Sequence, residues 1–81
     1  VNVQVRLFAV ARELAGVDSV EVSVPVGGTV AELRRALAVQ VPALAGILPQ
    51  VLFAVGSNYV ADATPLAADA EVACIPPVSG G

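Results

Sequence analysis

The sequence predicts an α+β domain in which one main helix packs on one face of one mixed β-sheet. Three observations predict it. The opening segment, Val1 to Val10, alternates apolar and polar residues at the two-residue period of a half-buried strand. One stretch, Thr29 to Val41, carries helical periodicity behind a capping signature. The other strand-like segments group around that helix instead of alternating with further helices, which points to two layers.

The elements follow in order. From Val1 to Val10, Val1, Val3, Val5 and Leu7 point one way, and Asn2, Gln4, Arg6 and Phe8 the other. Ala11 to Gly16 reads as a short helical turn that Gly16 closes. Ser19 to Val24 alternates again, with Val20, Val22 and Val24 inward, so these two strands form a hairpin with a long loop. Pro25 to Gly28 is a turn. Thr29 caps the main helix, and Glu32 stands at the capping-box position. Val30, Leu33, Leu37 and Val41 form its apolar stripe, with Arg34 and Arg35 off it. Pro42 ends this helix. Ala43 to Leu48 reads as a second short helical piece, Val51 to Val55 as a strand, Gly56 to Asn58 as a turn, and Tyr59-Val60 as a short strand. Ala61 to Ala70 is loop. Glu71 to Ile75 is the last strand, stopped by Pro76 and Pro77, which cannot donate to a ladder.

With 81 residues, this is one domain. Residues 1–75 are expected to fold, and 76–81 to extend as a tail. A composition 57% hydrophobic and 14% charged excludes disorder. The net charge is −3, and the four arginines include no run longer than Arg34-Arg35, which argues against nucleic-acid binding. Cys74 is the only cysteine, so no internal disulfide forms, and a reducing, cytoplasmic setting fits. No signal peptide is visible. Residues 36–61 carry no charge, but Gln40, Pro42, Pro49, Gln50 and Asn58 interrupt them, and no membrane span is expected.

Most catalytic constellations are missing from the inventory. There is no His and one Cys, so no His-assisted nucleophile and no zinc set. There is no Lys for a Schiff base or a phosphate loop. Gly27-Gly28 precedes a helix without a phosphate-binding pattern and reads as a turn. Cys74 falls on the predicted buried face, which suits a small hydrophobe better than a reactive thiolate. Asp69 and Glu71 read as a solvated loop edge.

Two features remain. Phe8 and Ile75 fall on the sheet face that no helix covers, and two large apolar side chains there suggest a docking patch for another protein. The chain also ends "PPVSGG". Pro76-Pro77 projects this segment in extended form. Gly80 and Gly81 have no Cβ and can thread a narrow channel. The Gly81 carboxylate is uncrowded, but it is a poor electrophile until something else activates it.

The stretches "RLFAVARELAG", "TVAELRRAL", "AVGSNYV" and "EVACIPPVSGG" resemble, in order and spacing, those of the MoaD-type sulfur carriers, the small subunits of molybdopterin synthase. The resemblance covers essentially the whole chain and implies a ubiquitin-like β-grasp fold. It implies that an ATP-dependent adenylyltransferase related to ubiquitin-activating enzymes joins AMP to Gly81. Sulfur then replaces the adenylate to give a thiocarboxylate, and no cofactor stays bound. The tail, through Gly80 and Gly81, would enter the large synthase subunit and donate sulfur to cyclic pyranopterin monophosphate in molybdenum cofactor biosynthesis. The assembly implied is a heterotetramer of two small and two large subunits. Phe8, Arg12, Tyr59 and Ile75 match docking positions of the family, with Pro76, Pro77 and Val78 continuing the contact. A carrier for thiamin, cysteine or tRNA thiolation, or a ubiquitin-like protein modifier, shares the same tail logic. Three departures from the family pattern stand out: Gly56 stands for Asn, Asp69-Ala70 for Gly-Asp, and Cys74 for a larger apolar residue.

Overall fold

The computed structural model describes residues 1–77. The first strand, β1 (Asn2–Leu7), keeps its alternation: Val3, Val5 and Leu7 are buried, and Asn2, Gln4 and Arg6 are exposed. It is shorter than Val1–Val10. Phe8 is still extended, but Ala9 takes φ 52° and turns the chain into α1 (Ala9–Ala15). The helix therefore starts two residues before the expected Ala11, and Val10 belongs to it. Gly16 closes it as predicted, at φ 77°, with its N–H donating to Arg12 O at 2.9 Å. Ala11 is wholly buried, which roots this short helix in the core.

The return strand β2 (Ser19–Ser23) pairs antiparallel with β1, Val3 opposite Val22 and Val5 opposite Val20. The turn after it closes through Gly28 N–H to Pro25 O at 2.8 Å. A Cβ at Gly28 would stand 2.8 Å from that same oxygen, so only glycine fits. The main helix α2 (Val30–Gln40) carries the full capping box: Glu32 N–H donates to Thr29 Oγ1, and Thr29 N–H donates to Glu32 Oε1. Its stripe of Val30, Leu33 and Leu37 is wholly buried, while Val41 is half-buried.

The expected helical piece over Ala43–Leu48 is instead two single 3₁₀ turns, Pro42–Leu44 and Leu48–Gln50. Each carries a proline in its first positions, where the missing N–H is tolerated. Leu44 and Leu48 drop into the core from them. Three strands follow: β3 (Leu52–Val55), β4 (Asn58–Val60) and β5 (Glu71–Ile75).

The sheet order is β2-β1-β5-β3-β4, with β1 and β5 parallel and every other pair antiparallel. The connection between β4 and β5 is not a free loop. Leu66 is buried, and Thr64 O and Asp62 O accept the N–H groups of Val30 and Ala31. The first turn of α2 thus has its donors satisfied within the fold. Valines and leucines of the sheet, Phe53 and the α2 stripe form one core. Each fully buried large apolar side chain contributes about 1.5–3 kcal/mol.

Candidate docking face beside the last strand

Register decides what the uncovered sheet face presents. Arg6 lies opposite Ala73, Ala73 opposite Ala54, and Ala54 opposite Tyr59. Side chains across these pairs share a face. One row therefore runs Arg6, Ala73, Ala54, Tyr59. In the next row Ile75 lies opposite Leu52, and Phe8 follows Arg6 by two residues. The opposite face holds Leu7, Cys74 and Phe53, all buried against the helix side.

The result is a shallow apolar depression of about 370 Å³, lined by Phe8, Ala54, Gly56, Ser57, Tyr59, Ala73 and Ile75. Two methyl groups make its floor, because Ala54 and Ala73 are directly paired. Phe8, Tyr59 and Ile75 stand around them. Phe8 is 41% exposed and Tyr59 65% exposed, so the isolated chain leaves both rings in water. The Arg6 guanidinium sits 5.9 Å from the Phe8 ring centroid, at the edge of cation–π range. Away from the depression the same face is polar, with Gln4 and Glu71 paired and Gln4 Nε2 donating to Glu21 Oε2 at 3.4 Å.

Phe8 and Ile75 thus share the uncovered face, as the alternation predicts, and Tyr59, which only the family resemblance had named, lines the same depression. Arg12 is not among them. It lies on α1, largely exposed, with Nε 4.0 Å from Asp18 Oδ1, a contact too open to hold it firmly. Pro76 is buried and Pro77 exposed, so the chain leaves the sheet from a fixed point. Val78, Gly80 and Gly81 lie outside the described residues. Sequence reasoning missed Leu52, 52% exposed across from Ile75, and it missed the Ala54–Ala73 floor. Alternation within β3 was available as a signal, but the pairing of β3 with β5 was not.

The other candidate groups among the described residues are not set up for chemistry. Cys74 is wholly buried, and that burial pushes its thiol up to about 11 against the opposing pull of the Arg34 guanidinium. At neutral pH it is a thiol and no nucleophile. The Gly27-Gly28 turn offers no phosphate cradle, since the loop carbonyls already occupy the helix N–H groups beside it. Asp69 and Glu71 are exposed and face no cleft. Two family departures also find their reason. Gly56 and Asp69 have φ of 62° and 60°, and glycine or an Asn/Asp side chain tolerates that left-handed geometry. Among the described residues, no helix is long and apolar enough to cross a membrane.

A parallel β1–β5 pair at the centre of this strand order, with one main helix across one face, defines a ubiquitin-like β-grasp domain. Residues 5–81 match the ThiS family, and the chain belongs to it. It is 36% identical over 81 residues to the molybdopterin synthase sulfur carrier subunit of Arabidopsis thaliana, covering 100% of this chain and 84% of that one. It is 37% identical over 83 residues to the molybdopterin synthase sulfur carrier subunit of Homo sapiens, covering 99% and 94%. Among solved structures, SAMP1 of Haloferax volcanii superposes with a TM-score of 0.87 at 30% identity, over 100% of both chains. The small archaeal modifier protein 1 of Methanosarcina acetivorans does so at 0.82 and 26%, covering 99% of this chain and 96% of that one.

Proposed function

We propose that this chain is the sulfur carrier subunit of a molybdopterin synthase, with no catalytic machinery of its own. The observation that carries the reading is the full-length identity with relatives that bear that name. The apolar depression beside β5 supports it, because a carrier whose reactive group sits at the end of a tail needs a surface by which a partner holds the domain.

In this reading the Gly81 carboxylate attacks the α-phosphorus of ATP on an adenylyltransferase, and pyrophosphate leaves. A sulfur donor displaces AMP, so one carboxylate oxygen is replaced by sulfur. The domain then docks through Phe8, Tyr59 and Ile75, with Arg12 at the rim, on the large synthase subunit. Two copies of each subunit assemble. Pro76, Pro77 and Val78 lead Gly80 and Gly81 into the large subunit's site, where the thiocarboxylate donates sulfur to cyclic pyranopterin monophosphate. ATP is consumed during activation and no cofactor is retained. A cytoplasmic location accommodates the free thiol of Cys74.

The likeness to the archaeal modifier proteins favours a second reading, in which the same terminus is conjugated to other proteins. The chain has no Lys, so it could not be extended on its own side chains. One experiment separates the readings. The chain is incubated with its activating enzyme, ATP and a sulfur donor, and then with the large subunit and the pterin. Mass spectrometry should show a single oxygen-to-sulfur exchange at Gly81, followed by molybdopterin formation. Isopeptide adducts that depend on Gly81, with no sulfur gained, would establish the modifier instead.

A further inference from the structure

Ala9, the first residue of α1, has a left-handed backbone, at φ 52°. For a residue with a Cβ this conformation carries a steric penalty that glycine does not pay. Such strain persists only where the structure on both sides over-determines it. Here it does. On the strand side, Leu7 is buried and its N–H donates to Asp18 O at 2.8 Å. On the helix side, Ala11 is wholly buried and its N–H donates to Phe8 O at 3.1 Å. Between these anchors the chain must turn from an extended residue, Phe8 at φ −122° and ψ 154°, straight into a helix. No side chain caps that helix.

The turn serves no core packing of its own, because Phe8, Ala9 and Val10 are all exposed. What it does fix is the direction of Phe8. Phe8 stays in the extended register of β1, so its ring remains on the uncovered face, beside Ile75 and at the wall of the depression. A relaxed right-handed or extended residue at position 9 would need a different path between Leu7 and Ala11. Phe8, held by neither burial nor a side-chain cap, is the residue free to give way.

We infer that Ala9 is a positioning residue: its left-handed backbone aims Phe8 at the docking partner, and the strain is retained because a relaxed junction would swing the ring off the rim. This rests on the docking reading given above and adds to it a residue that acts through Phe8.

The test uses the full chain and the cognate large subunit, with affinity measured by calorimetry under conditions where every variant is folded. Ala9→Gly keeps the left-handed turn without the penalty, so Tm should rise by about 4 °C while affinity is retained. Ala9→Val disfavours the turn further, since a β-branched residue is an outlier there. It should weaken docking roughly tenfold, much as Phe8→Ala does. The double variant should be no worse than Phe8→Ala alone, because both act through one ring. Should Ala9→Val fold too poorly to measure, a glycine inserted after Ala9 relaxes the junction by length and should give the same loss. An unchanged or lowered Tm for Ala9→Gly would overturn the strain. Additive losses in the double variant, or full affinity with the inserted glycine, would overturn the positioning. Wild-type chain that fails to bind the large subunit, or Phe8→Ala that binds normally, would remove the docking reading and the inference together.

Discussion

The Arg34 guanidinium lies over the Phe53 ring, 4.9 Å from its centroid, and ties α2 to two separate stretches of chain. Its Nη1 donates to Leu48 O and, at 2.7 Å, to Val51 O, and its Nη2 donates to Asp62 Oδ1 at 2.7 Å. These contacts hold the entry to β3 and the loop after β4 against the helix. They set where Leu52 emerges on the uncovered sheet face. Replacing Arg34 with Met keeps the stem but leaves the two carbonyls without these partners. Leu48 O still accepts the Val51 N–H at 3.2 Å, so Val51 O is the carbonyl left without a donor, and a loss of roughly 1–3 kcal/mol is expected in urea denaturation. Asp62→Asn should cost under about 1 kcal/mol, because that carboxylate is mostly exposed.

The capping box predicts a second, smaller effect. Thr29→Ala removes the Oγ1 acceptor for Glu32 N–H, while the reciprocal bond from the residue-29 N–H to Glu32 Oε1 is kept. The expected cost is about 1 kcal/mol, read as a Tm drop of roughly 4–8 °C in a domain this size. Thr29→Ser or Thr29→Asp should keep most of the stability, since either side chain can accept the same N–H.

Cys74 gives a pH dependence whose sign is fixed by its environment. Burial raises the thiol in the folded chain to about 11 from an ordinary value of 9.0. Below pH 9 the thiol is protonated in both states and its contribution to stability is fully present. Between pH 9 and 11 the unfolded chain loses the proton while the folded chain keeps it, so that contribution falls. Cys74→Ala should flatten the decline of stability over this window, measured by denaturation at successive pH values. In the wild type the thiol should resist alkylation at pH 8 until denaturant is added.

The capping box and the alternation of β1, β2 and β5 were legible because they are local: their partners lie within a few residues. Alternation also put Phe8 and Ile75 on one face before any register was known. It overran at Phe8, where the pattern continues smoothly while a single left-handed residue, Ala9, ends the strand. Nothing in Ala9 as a residue type announces that. Arg34 was equally opaque. Its partners stand 14, 17 and 28 residues away, so its helical position marked it only as off the apolar stripe. The Ala54–Ala73 floor needed the pairing of β3 with β5, which only long-range register supplies. The loop after β4 looked free because the carbonyls of Asp62 and Thr64 satisfy helix donors from far along the chain.

The floor of the depression offers the sharpest test of the docking face. Ala73 is half-buried and points away from the core, opposite Ala54. A leucine there has room in the isolated chain, because the depression is about 370 Å³ and open to solvent. Ala73→Leu should therefore leave stability within about 0.5 kcal/mol of wild type. It should also fill the concavity that a partner side chain would enter, and weaken binding of the large subunit by tenfold or more, on the order of 1.4 kcal/mol. Ser23→Leu makes an equal apolar addition on the polar side of the same sheet face, and it should bind normally. Adenylation and sulfur loading report separately on the activating enzyme, so comparing them with synthase binding tells whether both partners use the same concavity. If Ala73→Leu and Ser23→Leu bind alike, the depression is not where the large subunit docks.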